Sequence, residues 1–262
     1  MKRWGNTGIR SLGGTKITLK SALFLLALIA LWEFIVGLAK IPEFILPAPT
    51  SIGKALIKSF PLLMLHAQTT LLAAVVGLLL AIAIALMLAV LMDRFRIIKE
   101  LIYPLLIVSQ TIPIIALAPV LLIWFGLGIL PKILVVALVC FFPMAVNLVD
   151  GLENVDAELI ELLQVMKADG WTIFTSVQLP SVLPYFFSGL KISVTYSVLG
   201  AVIGEWLGAS SGLGIYMTRA MHSFSTSSLF AAILVVVLLS MGLFKITQFM
   251  AWLFMPWNRI GD

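Results

Sequence analysis

The chain has 262 residues, of which 61% are hydrophobic and 11% are charged. Soluble domains carry about 25% charged residues, so this composition indicates an integral membrane protein and excludes an ordinary soluble domain. The net charge of +5 does not indicate a nucleic-acid partner, because the basic residues collect in short loops instead of forming a stripe with aromatic side chains. The single cysteine, Cys140, excludes an intrachain disulfide.

The hydrophobic runs predict an all-α protein with six transmembrane helices in a single domain, residues 1–262. The expected spans cover about residues 21–39, 69–92, 101–125, 133–149, 183–207 and 229–254. The first run is too long for the apolar part of a signal peptide and has no clean small-x-small cleavage site, so we interpret it as an uncleaved span after a basic tail, residues 1–20.

Prolines interrupt this pattern in two places. Between residues 40 and 65 they predict that no span continues through the segment, which leaves a short surface helix from Ile52 toward Lys58. Inside the third span, near Gln110, they predict a broken helix in the interior of the bundle, where neighbours or water satisfy the freed backbone groups. Residues 208–228 are expected to form a Gly- and Ser-rich loop.

Basic residues are divided unevenly between the two sides of this topology. The side that holds residues 1–20, 93–100, 150–180 and the C-terminus carries ten Lys or Arg residues, against five on the other side. Cytoplasmic loops are enriched in these residues, so we predict that both termini and segment 150–180 are cytoplasmic.

The stretch 154–180 combines charge with helical periodicity. Over residues 156–168 the apolar and polar side chains fall on opposite sides of a helix, which predicts a short amphipathic helix. Asn154 or Asp156 would cap its start, and Gly170 would end it. Such a helix is either a solvated face packed on a core or, on a cytoplasmic surface between two spans, a docking element.

From Glu161 onward the sequence ELLQVMKADGWTIFTSVQLP resembles the EAA loop of ABC-importer permeases, whose pattern is roughly E-A-A-x3-G-x9-I/V-x-L-P. The residues that match its leading and closing positions are Glu161, Val177, Leu179 and Pro180. The departures are Leu162 and Leu163 in place of the alanines and Lys167 in place of the glycine.

The resemblance covers most of the chain. Segments 31–52 and 204–214 are similar to parts of the nitrate, sulfonate and taurine type of permease. Within that group, segment 190–214 most resembles the permeases for thiamine-precursor pyrimidines (the hydroxymethylpyrimidine subgroup) and, more distantly, those for riboflavin.

This resemblance implies a transport subunit of the bacterial inner membrane. Two copies of the chain would form the pathway, two cytoplasmic ATP-binding cassette subunits would each receive one loop helix in a groove, and an extracytoplasmic binding protein would deliver the solute. ATP and Mg²⁺ would belong to the ATPase partner. This chain has no G-x-x-x-x-G-K-[ST] loop, and we expect it to carry no cofactor and to be no enzyme.

The loop pattern also implies a set of ATPase-coupling residues, while the apolar face of the helix is expected to fix it to the spans. The set is Glu158, Glu161, Gln164, Lys167, Ala168, Asp169 and Gly170.

Polar residues inside the spans indicate a candidate substrate pathway, because such groups avoid lipid. The candidates are Gln110, Asn147, Tyr196 and Glu205. Each either lines a central cavity of the dimer or only bonds a neighbouring helix. Tyr196 and Trp206 suit stacking on a heteroaromatic solute, and basic residues in the spans are few, Lys191 and Lys245 among them, which suits a neutral or weakly charged solute.

Two other classes of protein fit the sequence less well. An ion-coupled secondary transporter commonly has corresponding broken helices in two halves, and the sixth span has no proline to match those of the third. A membrane-embedded metalloenzyme would use the acidic residues between 150 and 158, but helical spacing scatters them and a capped helix start explains them better.

Overall fold

The structure is a computed structural model and describes residues 19–206, 208 and 210–259. These residues form helices and connecting turns, with no β-strand among them. The α-helices are α1 (Leu19–Leu38), α2 (Pro49–Arg94), α3 (Arg96–Ser109), α4 (Ile114–Phe125), α5 (Leu130–Glu153), α6 (Ala157–Val165), α7 (Gly170–Ile173), α8 (Leu179–Trp206), α9 (Leu213–His222) and α10 (Thr226–Phe254). A π-helical segment, Phe174–Gln178, joins α7 to α8, and a 3-10 turn covers Pro256–Arg259.

Five of the helical segments are long and apolar enough to cross a membrane, and the bent pair formed by α3 and α4 makes a sixth crossing if it is counted as one span. The fold is therefore that of a multi-pass all-helical membrane protein. The five straight segments contain the cores of the spans predicted at 21–39, 69–92, 133–149, 183–207 and 229–254.

Helix α2 contradicts the expected break before residue 69. It runs for 46 residues and includes Pro61, so the short surface helix expected after Ile52 is its first part. Proline costs a helix one hydrogen bond, but membrane-spanning helices tolerate it where neighbours pack around the bend. Leu63 and Ala67, the next residues on the inward side, are buried.

The start of α2 is capped from a different helix. Glu33 of α1 accepts hydrogen bonds from the Thr50 backbone N–H at 3.0 Å and from the Thr50 hydroxyl at 2.7 Å. The carboxylate thereby satisfies one of the amides that a helix N-terminus leaves free and suits the positive end of the helix dipole. This contact gives the acidic residue in the first span a structural partner.

Helix α5 packs between α2 and α8 and forms the centre of the subunit. Small residues permit the close approach: a Cβ on Gly77 of α2 would lie 2.5 Å from the Val136 Cβ of α5, and a Cβ on Gly151 would lie 2.8 Å from the Tyr185 Cβ of α8. The largest buried cluster runs along these helices and includes Ala81, Ala85, Val136, Met144, Val194 and Val198.

The third span is broken as predicted but is placed differently. Helices α3 and α4 meet at an angle of 102°, and the turn between them begins at Gln110. Each of the two has one buried residue, Leu106 in α3 and Ala118 in α4. Within the subunit this span lies at the edge of the bundle, so the expected interior position is wrong. Its freed groups are satisfied locally, as the Thr111 hydroxyl donates to the Val108 carbonyl at 2.7 Å.

Candidate functional sites

Asp156 caps the helix that the sequence predicts after residue 154. Its carboxylate accepts from the Glu158 N–H at 2.9 Å and the Leu159 N–H at 3.3 Å. Helix α6 ends at Val165, three residues earlier than the predicted boundary at 168. Asp156 is one of the two residues, Asn154 and Asp156, that the sequence predicts as the cap.

Lys167, not Gly170, ends α6. Lys167 has φ of +60°, its N–H bonds the Gln164 carbonyl at 2.9 Å, and the Ala168 N–H bonds the Leu163 carbonyl at 3.0 Å. This pair of bonds is the Schellman arrangement, whose left-handed residue is usually glycine. The turn therefore stays at the position where the loop pattern has its glycine, and a lysine adopts the conformation. The expectation for Gly170 is wrong, since that residue begins α7.

Asp169 precedes α7 and bonds the Thr172 hydroxyl. This hydrogen bond lowers the pKa of Asp169 below its ordinary value, so the exposed carboxylate is charged at neutral pH. From Gly170 the chain is helical without interruption through the π segment to Trp206. The stretch 154–180 is thus joined directly to the fifth span.

Helix α6 packs on the rest of the subunit less closely than expected: none of its residues is buried, and on its apolar side only Ile160 and Leu163 are half-buried. Val165 is 82% exposed, Met166 69% and Trp171 71%, and Leu162 is also exposed. We call Leu162, Val165, Met166 and Trp171 the apolar patch. An unpartnered surface of this kind on a short capped helix indicates contact with another protein.

The seven predicted coupling residues lie in the same stretch of the chain as this patch. Ala168 is half-buried, and the other six, Glu158, Glu161, Gln164, Lys167, Asp169 and Gly170, are exposed. Sequence reasoning selected the polar side and missed the patch. Trp171, a large aromatic residue between Gly170 and Thr172 in a polar stretch, is the feature of the sequence that could have indicated an exposed apolar contact surface.

Three of the four acidic residues between 150 and 158 have separate partners. Asp150 accepts from the Tyr103 hydroxyl at 3.3 Å, Glu153 pairs with Lys99 at 2.5 Å, and Asp156 caps α6. The first two contacts tie α3 to the end of α5, and the third is the N-terminal cap of α6 itself.

A second set of polar groups is buried at the other end of the bundle. The Glu205 carboxyl group of α8 has no exposed surface and accepts from the Thr70 hydroxyl of α2 at 2.9 Å. It also accepts from the Gly214 N–H in the first turn of α9 at 2.7 Å. Buried polar groups need such partners, because leaving them without hydrogen bonds is costly.

Three successive backbone amides at the start of α9 are held in this way. The Gly212 N–H donates to His66 Nδ1 at 3.0 Å, and the Leu213 N–H donates to Thr70 Oγ1 at 2.8 Å. Since His66 accepts at Nδ1, its neutral imidazole carries the proton on Nε2. With the Gly214 bond to Glu205, the N-terminal amides of α9 are satisfied by α2 and α8. We call these six residues the α9 anchor.

Glycine is required inside the α9 anchor. Gly212 has φ of +127°, and a Cβ there would lie 2.1 Å from the Glu205 carboxyl carbon. Next to it, the buried Lys132 ammonium of α5 donates to the Ser211 carbonyl at 3.0 Å. The expected loop at 208–228 is therefore wrong for residues 213–222, which are helical because this end is capped from three spans.

The four candidate pathway residues lie apart. Gln110 is exposed at the bend between α3 and α4, and half-buried Asn147 donates to the Pro143 carbonyl one turn earlier in α5. Tyr196 is 45% exposed on α8, whereas Glu205 is buried and fully engaged in the α9 anchor. Nine residues of helix place Tyr196 and Glu205 on opposite sides of α8, about 13 Å apart along its axis. Within the subunit, Glu205 and Asn147 form hydrogen bonds only to neighbouring parts of the protein, which is the second of the two roles considered for polar residues in the spans.

The helices define a multi-pass membrane protein. Residues 77–257 match the family described as "Binding-protein-dependent transport system inner membrane component". The chain belongs to this family and is an ABC-importer permease.

Several curated relatives are similar over nearly their whole length. The formylaminopyrimidine transport permease protein ThiX of Halalkalibacterium halodurans is 38% identical over 92% of this chain and 96% of its own. A probable ABC transporter permease of Haemophilus influenzae is 36% identical over 86% of this chain and 92% of its own. The riboflavin transport system permease protein RibX of Chloroflexus aurantiacus is 33% identical over 89% and 88% of the two chains.

A solved structure supports the fold alone. The crystal structure of an amino acid ABC transporter with histidines aligns with a TM-score of 0.57 at 16% sequence identity, and the match covers 76% of this chain and 95% of that chain. Permeases of this family work with ATPase and binding-protein partners in general.

The left-handed conformation of Lys167 predicts that Lys167→Gly stabilises the end of α6. Glycine adopts φ near +60° without the steric cost of a Cβ, which is about 1 kcal/mol for other residues. Hydrogen exchange of the Lys167 and Ala168 amides should slow in Lys167→Gly and accelerate in Lys167→Val. Faster exchange in the glycine variant would show that this turn is not present.

The α9 anchor predicts that Glu205→Ala destabilises the subunit. The substitution leaves the buried Gly214 N–H without an acceptor, at a cost of about 1–3 kcal/mol, and leaves the Thr70 hydroxyl with only the His66 carbonyl. Thermal unfolding in detergent should show a lower midpoint than that of the wild-type protein. The exposed Glu161→Ala is the control, and equal midpoints for the two variants would contradict this role of Glu205.

Proposed function

We propose that this chain is the permease subunit of an ATP-driven importer of the bacterial inner membrane, with both termini and α6 in the cytoplasm. Two copies form the pathway, and two ATPase subunits that bind ATP and Mg²⁺ each receive one α6. A binding protein outside the membrane delivers the solute. The observation that carries the proposal is the apolar patch, which the subunit itself leaves uncovered.

The geometry suits transmission of movement from an ATPase to the spans. Helix α6 is closed at both ends, by Asp156 and by the turn at Lys167, so it docks as a preformed unit. Beyond Asp169, the uninterrupted helical run to Trp206 offers a stiff connection to the fifth span. A displacement of the docked segment therefore moves α8 instead of being lost in loop motion.

The apolar patch and the seven polar coupling residues have complementary roles in this proposal. Val165, Met166 and Trp171 supply apolar area that is removed from water in the groove of the ATPase, while charged neighbours such as Glu161 set the orientation. The contact is thus more apolar than the sequence pattern alone indicates.

For the solute, we propose a thiamine-precursor pyrimidine or a related heteroaromatic compound. The support is the similarity to the formylaminopyrimidine permease over nearly the whole of both chains. A sulfonate, taurine or nitrate importer is the alternative, since the putative aliphatic sulfonates permease SsuC of Bacillus subtilis is 33% identical over 83% of this chain. Gln110, Asn147 and Tyr196 stay candidates for the pathway.

The importer proposal predicts a dependence on nucleotide. In liposomes that contain the complete complex with its binding protein, uptake should require ATP on the ATPase side and continue when ionophores collapse the ion gradients. Uptake without nucleotide that stops on addition of an ionophore would instead identify an ion-coupled secondary transporter.

The docking proposal predicts different results for the two faces of α6. Val165→Glu places a charge in the apolar contact and should prevent assembly with the ATPase, whereas Glu161→Lys should leave the subunit folded but abolish solute-stimulated ATP hydrolysis. Co-purification with the ATPase and ATPase assays measure these effects.

Phe224→Glu is the matched control for the docking test. Phe224 is 76% exposed, but it follows α9 at the opposite end of the bundle, so the ATPase should still bind. Normal assembly and normal stimulation in both α6 variants would show that α6 is a solvated face and not a contact.

A further inference from the structure

One exposed face of α8 carries four polar side chains inside the membrane, interleaved with exposed Ile192 and Leu199, and we call these four residues the polar stripe. Ser188, Thr195 and Tyr196 are exposed and Lys191 is half-buried, and the four positions fall within an arc of about 140° around the helix. The opposite side of α8, which includes Val194 and Val198, is buried against the other spans. The subunit therefore presents an amine, a phenol and two hydroxyl groups on a helix face that it leaves uncovered.

We propose that Lys191 lies in the translocation pathway and that its ammonium group donates to a hydrogen-bond acceptor of the solute in transit. This inference rests on the proposed transport function. The acceptor is either an anionic oxygen or a ring nitrogen or carbonyl of a neutral heterocycle, which present the same chemistry to the ammonium group.

The depth of Lys191 supports this position. Helices α5 and α8 are antiparallel, with Gly189 against Asn147 and Gly204 against Lys132. Lys191 therefore lies about 12 Å from the Glu153 end of α5, a helix of about 36 Å that spans a hydrocarbon layer of about 30 Å. An ammonium group at this depth needs water or protein partners, since exposure to hydrocarbon costs several kcal/mol.

The subunit itself gives the ammonium group no such partner. Among the described residues, no hydrogen bond or ion pair of the Lys191 Nζ atom occurs, in contrast to buried Lys132, which bonds the Ser211 carbonyl. Glu205, an acid on the same helix, is engaged in the α9 anchor on the buried side. The charge of Lys191 is thus available to a solute.

A lipid-facing helix in the same subunit looks different. Every residue from Leu23 to Leu31 of α1 is exposed, and every one is apolar. The polar stripe on α8 is therefore not what this chain presents to lipid. A water-filled pathway that adjoins α8 accounts for four polar side chains on an uncovered face.

Aqueous access is tested first, without knowledge of the solute. Lys191→Cys is introduced into the full complex in liposomes and treated with a charged methanethiosulfonate reagent, which reacts with thiolates in water. The native Cys140 is buried, so background labelling is low. Labelling should be at least tenfold faster than in Ile29→Cys, an exposed position on α1. Equal rates would overturn the proposal.

Transport is tested with a formylaminopyrimidine and an alkanesulfonate as probes. Lys191→Met should lower kcat/KM for the transported probe at least tenfold, and Lys191→Arg should restore part of it by returning the charge. Lys245→Met is the matched control: Lys245 of α10 is exposed, but its neighbours Met241 and Phe249 are apolar, so we expect its long side chain to extend along them to the membrane interface and not into a pathway. Its uptake should equal that of the wild-type complex.

The outcomes separate this inference from the transport proposal. If Lys191→Met lowers uptake of the sulfonate, the acceptor on the solute is anionic. If it lowers uptake of the pyrimidine, the acceptor is neutral. Unchanged uptake in Lys191→Met, or an equal loss in Lys245→Met, overturns the role of Lys191 while the transporter still works. If the wild-type complex moves neither probe under ATP, the proposed solutes are wrong, and the labelling rates still decide whether Lys191 faces water.

Discussion

Backbone amides and carbonyls at the end of a helix inside a membrane protein need hydrogen-bond partners from the protein itself, and this constraint shapes two of the breaks in this bundle. At the start of α2 the partner is Glu33 from the preceding helix. At the start of α9 three amides bond His66, Thr70 and Glu205 from two long spans. These cross-helix caps stabilise the positions of short elements that propensity alone would not hold.

The same constraint explains why the polar residues of the spans have different meanings. Glu205 is one of two charged residues of its helix and a candidate for the pathway by sequence, but in the structure it caps α9. Lys132 likewise bonds a loop carbonyl. Lys191 has neither kind of contact, and this difference is visible only after the helices are packed. Sequence reasoning treats intramembrane charges alike, because it has no information on which neighbour reaches them.

The sequence predicts the span pattern well, because hydrophobic length is a local property of the chain. It predicts the Asp156 cap for the same reason. It fails at Pro61, where tertiary packing sustains a helix that a proline would end in isolation, and at Lys167, where a non-glycine residue adopts the left-handed conformation. It also fails on the packing of α6, since amphipathic periodicity gives an apolar face but not the partner that covers it.

The π-helical segment Phe174–Gln178 has a geometric consequence for the fifth span. A π turn holds about one residue more than an α turn, so every side chain beyond it is rotated by about 100° around the axis relative to an unbroken α-helix. The π segment therefore changes the angle, around the helix axis, between Trp171 and the polar stripe on α8. In the proposed complex, the continuous helical segment Gly170–Trp206 would contact an ATPase near Trp171 and a different neighbour within the membrane. The extra residue of the π turn sets the angle between these two contact surfaces.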